Sequence, residues 1–515
     1  MKKILTIVGF MLFCMNSLYA QMMLQYQTTT TNTSITLPLS GTVNVTVNWG
    51  DFSQPQSFFF PSLQSHTYTN PGNYTVTISG TLTHFGTNLF NQTNPCLNAV
   101  LNWDNVGLTS LNYAFCNATS LTSVPSSLPT TVTDLSSMFF NATSFNSPIG
   151  NWNTTNVTDM NNMFFQATTF NQPIDSWNTA NVTNMSSMFL NAYSFNQPIG
   201  TWSTVNVKNM AMMFNGAIIF NQPIANWNTK NVTSMGEMFN SAYLYNQPIG
   251  NWNTANVKAM YAMFLNATAF NQPISSWNTS NVTDMSYMFS GAFAFNQPIA
   301  ALNTAKVTDM SAMFSNTKVF NQPIGSWNTA NITTMNEMFY KAHSFNQPIG
   351  SWNINKVTNM TSMFTGDTLC IVNYDNLLSG WASQTPQSGV TFDGGYSQHS
   401  TASSTARANL INNKGWAITD GELNPDNTQC YSNITTGIQP NSVSPTIGVY
   451  PNPSTGLITI FSNDALGNII ICNSVGTIVF QTNSSAVQQN IDISNNESGL
   501  YLVKVGNQTT KLVKE

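Results

Sequence analysis

Asp134, Asp159, Asp284 and Asp309 fall at one place in a 25-residue period. Carboxylates in neighbouring turns are how a calcium ladder is built. Asn184, Asn209, Ser234 and Ala259 interrupt this one, so solvated helix N-termini, which favour negative charge, explain the aspartates better. Trp152, Trp177, Trp202, Trp227, Trp252, Trp277, Trp327 and Trp352 keep the same period, with Leu302 in the one gap. An exposed row of indoles would stack on sugar rings. Leucine fills space but offers no flat face, so the column reads as core. Threonines in NTxNVT would suit an ice-binding row, but Lys208 and Lys258 break it. Asp51 and His66 invite a metal or catalytic pair; a turn aspartate and a strand-edge histidine are the better reading.

The remaining reactive residues are sparse. Beyond Cys14, the chain has Cys96, Cys116, Cys370, Cys430 and Cys472. None lies in a CxxC motif and the chain has only 4 histidines, so a zinc site is not expected. In an exported chain, Cys96 with Cys116 and Cys370 with Cys430 are candidate disulfides, on proximity in sequence alone. Between Val132 and Phe364 there are seven acidic residues, seven lysines and one histidine, His343, spread over different repeat positions. No GxSxG, HExxH or Walker pattern occurs. The expectation is a non-enzyme with no catalytic, cofactor-binding or metal-binding residues.

Composition narrows the partners. Only 6% of residues are charged, the net charge is −5, and Arg407 is the only arginine. There is no basic stripe for nucleic acid and no lysine cluster for a membrane surface. The 42% hydrophobic and 12% aromatic content argues for a packed core rather than disorder. The N-terminus, MKKILTIVGFMLFCMNSLYA, has a positive start, an apolar run and a small closing residue. It reads as a secretory signal cleaved between Ala20 and Gln21, with no membrane span expected after its removal.

The elements that position these residues are written 25 residues apart. Met-x-x-Met-Phe begins at Met160, Met185, Met210, Met235, Met260, Met285, Met310, Met335 and Met360, with divergent copies at Leu135 and Leu111. A fixed period of this length marks a solenoid. Within one copy, Val182, Met185, Met188, Phe189, Ala192 and Phe195 fall at intervals of three and four, which predicts a short helix capped by Asn181 or Thr183. Pro198 ends it. Ile199 and Trp202 then lie inward on an extended, strand-like piece. One copy buries too little to offset the ordering of 25 residues, so copies must stack. Asn and Gln of each NQP can then hydrogen-bond to the next copy, where a charge would repel its own repeat.

The phrase FNQPIGxWNTxNVTxMSxMFxxA, with the early copy LTSLNYAFCNATSLTSV, resembles the 25-residue repeats of BspA-like leucine-rich-repeat surface proteins, over about Leu108 to Phe364. The resemblance implies a leucine-rich-repeat-like right-handed solenoid, a surface location, adhesion in some members, and no shared catalytic residues. YDNLLSGWASQ and STARANLINNKGWAITDG, the latter ending a helix at Gly415, resemble the tail that closes such arrays, with Trp381 and Trp416 in the core. Before the array, VNVTVNWGD and HTYTNPGNYTVTISG alternate as half-buried strands do and resemble a PKD-type β-sandwich. After it, YPNP, GLYLVKV and KLVKE resemble the C-terminal sorting domain of the type IX secretion system of Bacteroidota.

The expected fold is therefore a leucine-rich-repeat-like solenoid, with a short helix and a strand per 25-residue turn, flanked by N- and C-terminal β-sandwiches. The expected parts are a signal peptide (1–20), a PKD-like domain (21–92), about 11 repeats (93–364), a cap (365–435), a linker (436–446) and a sorting domain (447–515). The expected role is adhesion or protein interaction through the solenoid surface, after export by the type IX machinery. The alternative is a glycan-binding or glycan-processing accessory protein. The partners are that machinery and an extracellular protein or glycan, and the place is outside the cell or on its surface.

Overall fold

A computed structural model describes residues 21–87, 94–104, 106–425, 447–450, 452–462, 465–473, 477–506 and 508–514. Ala20 of the expected cleavage site, Cys14, Cys430 and the expected linker 436–446 lie outside them. The chain divides into two compact units, Met1–Tyr431 and Ser432–Glu515.

The first unit opens with six antiparallel strands in one sheet: β1 (Gln21–Thr28), β2 (Thr33–Asn48), β3 (Gln56–Phe58), β4 (Ser62–Tyr68), β5 (Gly72–Phe85) and β6 (Leu97–Asp104). Their order is β3-β2-β5-β1-β6, with β4 also paired to β2. The alternation read in the sequence is the alternation of burial. Val43, Val45 and Val47 point inward along β2, Trp49 just after it, and Val76 and Ile78 along β5. Gly41 (φ 66°) sits where the β2–β5 register shifts, between Ser40 and Val43. The sheet runs into the repeats: Leu82 N–H donates to Val106 O (2.7 Å) and Val100 N–H to Ser123 O (2.9 Å). One hydrophobic cluster extends from Met22 to Trp416.

The repeats hold no α-helix among the described residues, which corrects the expected helix in each copy. In the copy from Met185, the N–H groups of Met188, Leu190 and Ala192 bond three residues back, to Met185, Ser187 and Phe189 (3.0–3.3 Å). Those of Met185, Ser187, Phe189 and Asn191 bond instead to Asn209, Ala211, Met213 and Asn215 of the next copy (2.7–3.1 Å). Left-handed residues at Ser187 (φ 54°) and Asn191 (φ 55°) turn alternate peptides sideways. The result is a run of overlapping turns. It places apolar side chains at intervals of three and four, as a helix would. A helix, however, uses its N–H groups within itself, leaving neighbouring copies joined by side chains alone.

The extended piece is also displaced from its expected place. NQPI forms no strand, because Pro198 has no N–H to offer a ladder. Single-residue parallel bridges run instead through Asp134, Asp159, Asn184, Asn209, Ser234, Ala259, Asp284, Asp309, Thr334 and Asn359. At NQP the copies are tied by side chains. Asn171 Oδ1 accepts from Asn196 N–H (3.0 Å) and Gln197 Nε2 (3.0 Å), and the pattern recurs down the array.

Beyond Phe364 come α1 (Ile371–Ala382), β7 (Thr391–Asp393), α2 (Ser404–Lys414) and β8 (Ala417–Thr419). Gly415 ends α2 with φ 65°, the left-handed cap that glycine adopts without a Cβ clash. β7 and β8 are parallel, and β7 extends the ladder through a bridge from Met360 to Phe392. A helix with a strand per turn thus occurs in this cap. Trp381 and Trp416 are buried there.

The second unit has two antiparallel sheets around one core. One contains β9 (Gly448–Tyr450), β10 (Leu457–Phe461) and β13 (Gln488–Asp492). The other contains β11 (Gly467–Asn473), β12 (Ile478–Ser484), β14 (Gly499–Val505) and β15 (Gln508–Lys514), in the order β12-β11-β14-β15. Ile458, Ile460, Ile469, Ile471, Tyr501 and Val503 fill the core.

Candidate functional site

The tryptophan column faces inward. Trp152, Trp177, Trp202, Trp227, Trp252, Trp277, Trp327 and Trp352 are at most 5% exposed, as is Leu302. Neighbouring indoles stack nearly parallel, 6.2 Å apart at Trp177–Trp202. Each Nε1–H is satisfied by a backbone carbonyl, as from Trp227 to Ile199 O (3.0 Å). No flat face is left for a sugar ring.

The aspartate column caps turns, and there is no helix N-terminus for it to serve. Oδ1 of Asp134, Asp159, Asp284 and Asp309 accepts the N–H two residues on, at 2.7–2.9 Å. Asn184, Asn209 and Asn359 do the same at 3.0–3.1 Å. An amide that substitutes for the carboxylate shows that the acceptor matters, rather than the charge. No group of His, Cys, Asp and Glu among the described residues is arranged to hold a metal ion.

Asp51 and His66 do meet, with Oδ2 and Nε2 2.7 Å apart. The Trp49 ring stacks on the imidazole at 4.6 Å. Burial alone would raise the Asp51 carboxyl, but hydrogen bonds from Ser53 and His66 outweigh it and hold the group down at about 2. The pair ties the β2–β3 turn to β4.

Cys96 and Cys116 are free thiols, and Cys430, the expected partner of Cys370, lies outside the described residues. Cys96 precedes β6, where its carbonyl accepts from Gln27 N–H. Cys116 is buried in the first copy, and burial pushes its thiol up to about 11. Cys370 is also a free thiol.

The outer face of the array is built from two polar columns. Asn156, Asn181, Asn206, Asn231, Asn256, Asn281 and Asn331 each turn Nδ2 inward to a carbonyl of the previous copy, at 2.7–2.8 Å. Beside them Thr158, Thr183, Thr233, Thr308, Thr333 and Thr358 donate their hydroxyls to the carbonyl 25 residues back, at 3.1–3.3 Å. These threonines are exposed. With one N–H of each amide and each hydroxyl hydrogen engaged, the amide and hydroxyl oxygens face outward as acceptors, except at Asn281 and Asn331. Lys208 and Lys258 replace threonine without breaking the backbone ladder. Lys306 and Lys356 replace asparagine and reach back to Asn281 and Asn331 Oδ1 (2.7 Å each). The sequence reading missed the asparagine column, although its 25-residue period was there to count.

Another omission lies in the cap. Arg407 holds Asp420 with two bonds of 2.9 Å, and Tyr374 OH donates to the same carboxylate (2.7 Å). Burial would raise Asp420, and these bonds reverse it. A lone arginine 13 residues before an aspartate was the available signal.

Three overlapping stretches, 86–199, 194–292 and 271–381, match the family described as Mycoplasma protein of unknown function, DUF285, and together they span more than half of the chain. The chain belongs to the DUF285 family. Residues 448–515 of this DUF285 protein match the secretion system C-terminal sorting domain. The DUF285 repeats and the sorting domain together make it a secreted or outer cell-surface repeat protein that engages the type IX secretion machinery. No curated protein and no solved structure matches the chain. Among the described residues, no helix is long and apolar enough to cross a membrane.

Proposed function

We propose that this is a non-enzymatic adhesion or interaction protein whose binding surface is the polar face of the array. The array is read as a BspA-like, leucine-rich-repeat-like solenoid, and the first sheet as PKD-like. The observation that carries the reading is the acceptor lattice: asparagine and threonine oxygens recur in most copies, with an amide N–H and the hydroxyl hydrogen fixed inward. Side chains locked before contact lose little entropy on binding. The lattice suits a partner rich in N–H or O–H donors, an extracellular protein or a glycan. The buried tryptophans give the glycan alternative no support, so it would rest on the same oxygens.

The test is binding of the exported protein to immobilised matrix proteins and glycans. Thr308→Val, Thr333→Val and Thr358→Val together replace exposed oxygens with methyls. Loss of binding at an unchanged melting temperature supports the face. Undiminished binding places the surface elsewhere.

A further inference from the structure

The N-terminal sheet carries a second surface of different chemistry. Phe52 is fully exposed, Phe59 is 61% and Phe60 78% exposed. Phe52 also has φ 66°, a left-handed conformation that a bulky residue rarely adopts. The turn is otherwise secured by Gly50 N–H to Asn48 Oδ1 (2.9 Å) and Ser53 N–H to Asp51 Oδ1 (3.1 Å). Glycine or asparagine would fit the position with less strain. Phe52 thus costs the fold twice, in backbone strain and in an apolar ring left in water. Folding gives no reason for that ring.

The three rings lie along one edge. β3 and β4 pair end to end with the same side of β2, β3 at Val45–Val47 and β4 at Thr33–Leu39. Phe52 is in the turn before β3, and Phe59 and Phe60 are in the break between β3 and β4. At roughly 3.3 Å per residue, the strand holds the two groups on the order of 10 Å apart. The edge is a poor template for an added strand, since β3 has 3 residues and Pro61 follows in the break. Side chains, not backbone, must make the contact.

The surroundings select the partner. Asp51, the one charged residue between β2 and β4, is already joined to His66. Ser53, Gln54, Gln56, Ser57 and Ser62 are exposed beside the rings and supply neutral polar groups, and Pro55, Pro61 and Leu63 add exposed apolar surface. No cation is present for an anionic lipid or an acidic polymer. Projecting rings among hydroxyls and amides match a neutral sugar, which has an apolar C–H face and a hydroxyl rim.

We propose that Phe52, Phe59 and Phe60 form a stacking row for an uncharged polysaccharide on the edge of the N-terminal sheet. The site is independent of the array face. It is tested with the exported full chain in affinity gels containing xylan, hydroxyethyl cellulose or laminarin, and in pull-downs on cellulose and chitin. At least one of these should retain the protein. Phe52→Gly removes the ring while relaxing the turn, so the melting temperature should hold or rise. Retention should weaken about tenfold, equivalent to about 1.4 kcal/mol. Phe59→Ser with Phe60→Ser should do likewise, and Phe52→Tyr should keep binding. No retention on any of the five polymers, or unchanged retention after all three rings are removed, would overturn the proposal. So would variants that keep sugar binding but lose attachment to a protein-coated surface.

Discussion

Trp227 shows how one residue serves two neighbours. Its ring stacks on Trp252 at 6.4 Å, and its Nε1–H reaches Ile199 in the copy before. Trp227→Ala should cost about 3–5 kcal/mol, as large-to-small core changes do, with the loss concentrated in adjacent copies. Amide exchange resolved by copy would measure it. Uniform protection equal to wild type would mean the column is not structural. Tyr287 shows the opposite case, an exposed ring on a left-handed residue (φ 58°). Tyr287→Gly should stabilise its turn by about 0.5–1 kcal/mol, because relief of the left-handed clash exceeds glycine's extra unfolded-state entropy. A denaturant midpoint below wild type would refute this.

At the scale of the element, the side-chain pattern was legible and the backbone was not. Val182, Met185, Met188, Phe189, Ala192 and Phe195 are buried where the intervals put them. Those intervals do not distinguish a helix from overlapping turns. The distinguishing signal was the residue six after the first Met of each copy. Six of the nine, Asn191, Gly216, Asn266, Gly291, Asn316 and Gly366, are types that tolerate positive φ, while Gln166, Ser241 and Lys341 adopt it without that signal. The cap helices were legible because Gly415 and the absence of Pro leave a helix as the only period-matched choice. Invisible in sequence was Asp367, 3% exposed between the last copy and α1, with Oδ2 unpartnered. Burial raises its carboxyl to about 7. A raised acid favours the folded state while protonated. The Asp367 contribution to stability should therefore be full below the ordinary carboxylate range and be lost as pH rises through about 7, opposite in sign to that of Asp51 and Asp420. Asp367→Asn should flatten that slope and raise the melting temperature at pH 8. An unchanged pH profile would show that another group governs it.

At the scale of the whole molecule, the second unit has its own core and the first has its own cap. Deleting the residues after Thr446 should hold the protein in the periplasm while the repeats stay folded. Mass spectrometry of medium and cell fractions reads the location, and the melting curve reads the fold. Normal export of the truncated chain would refute the sorting role.

The bonds between copies carry a consequence for heredity. Asn196 N–H meets Asn171 Oδ1, and Asn171 N–H meets Asn146 Oδ1, in the same geometry (3.0 Å each). If residues 171–195 were lost, Asn196 would follow Phe170 and meet Asn146 as Asn171 did. The seam would match every other seam. A gene coding for such a chain can lose or gain 25 codons at a stroke and still encode a closed, capped protein. Within the regular copies, a number that is not a multiple of 25 would set turn against bridge at the seam. Reach can therefore change by whole copies, while the two ends and the address stay fixed.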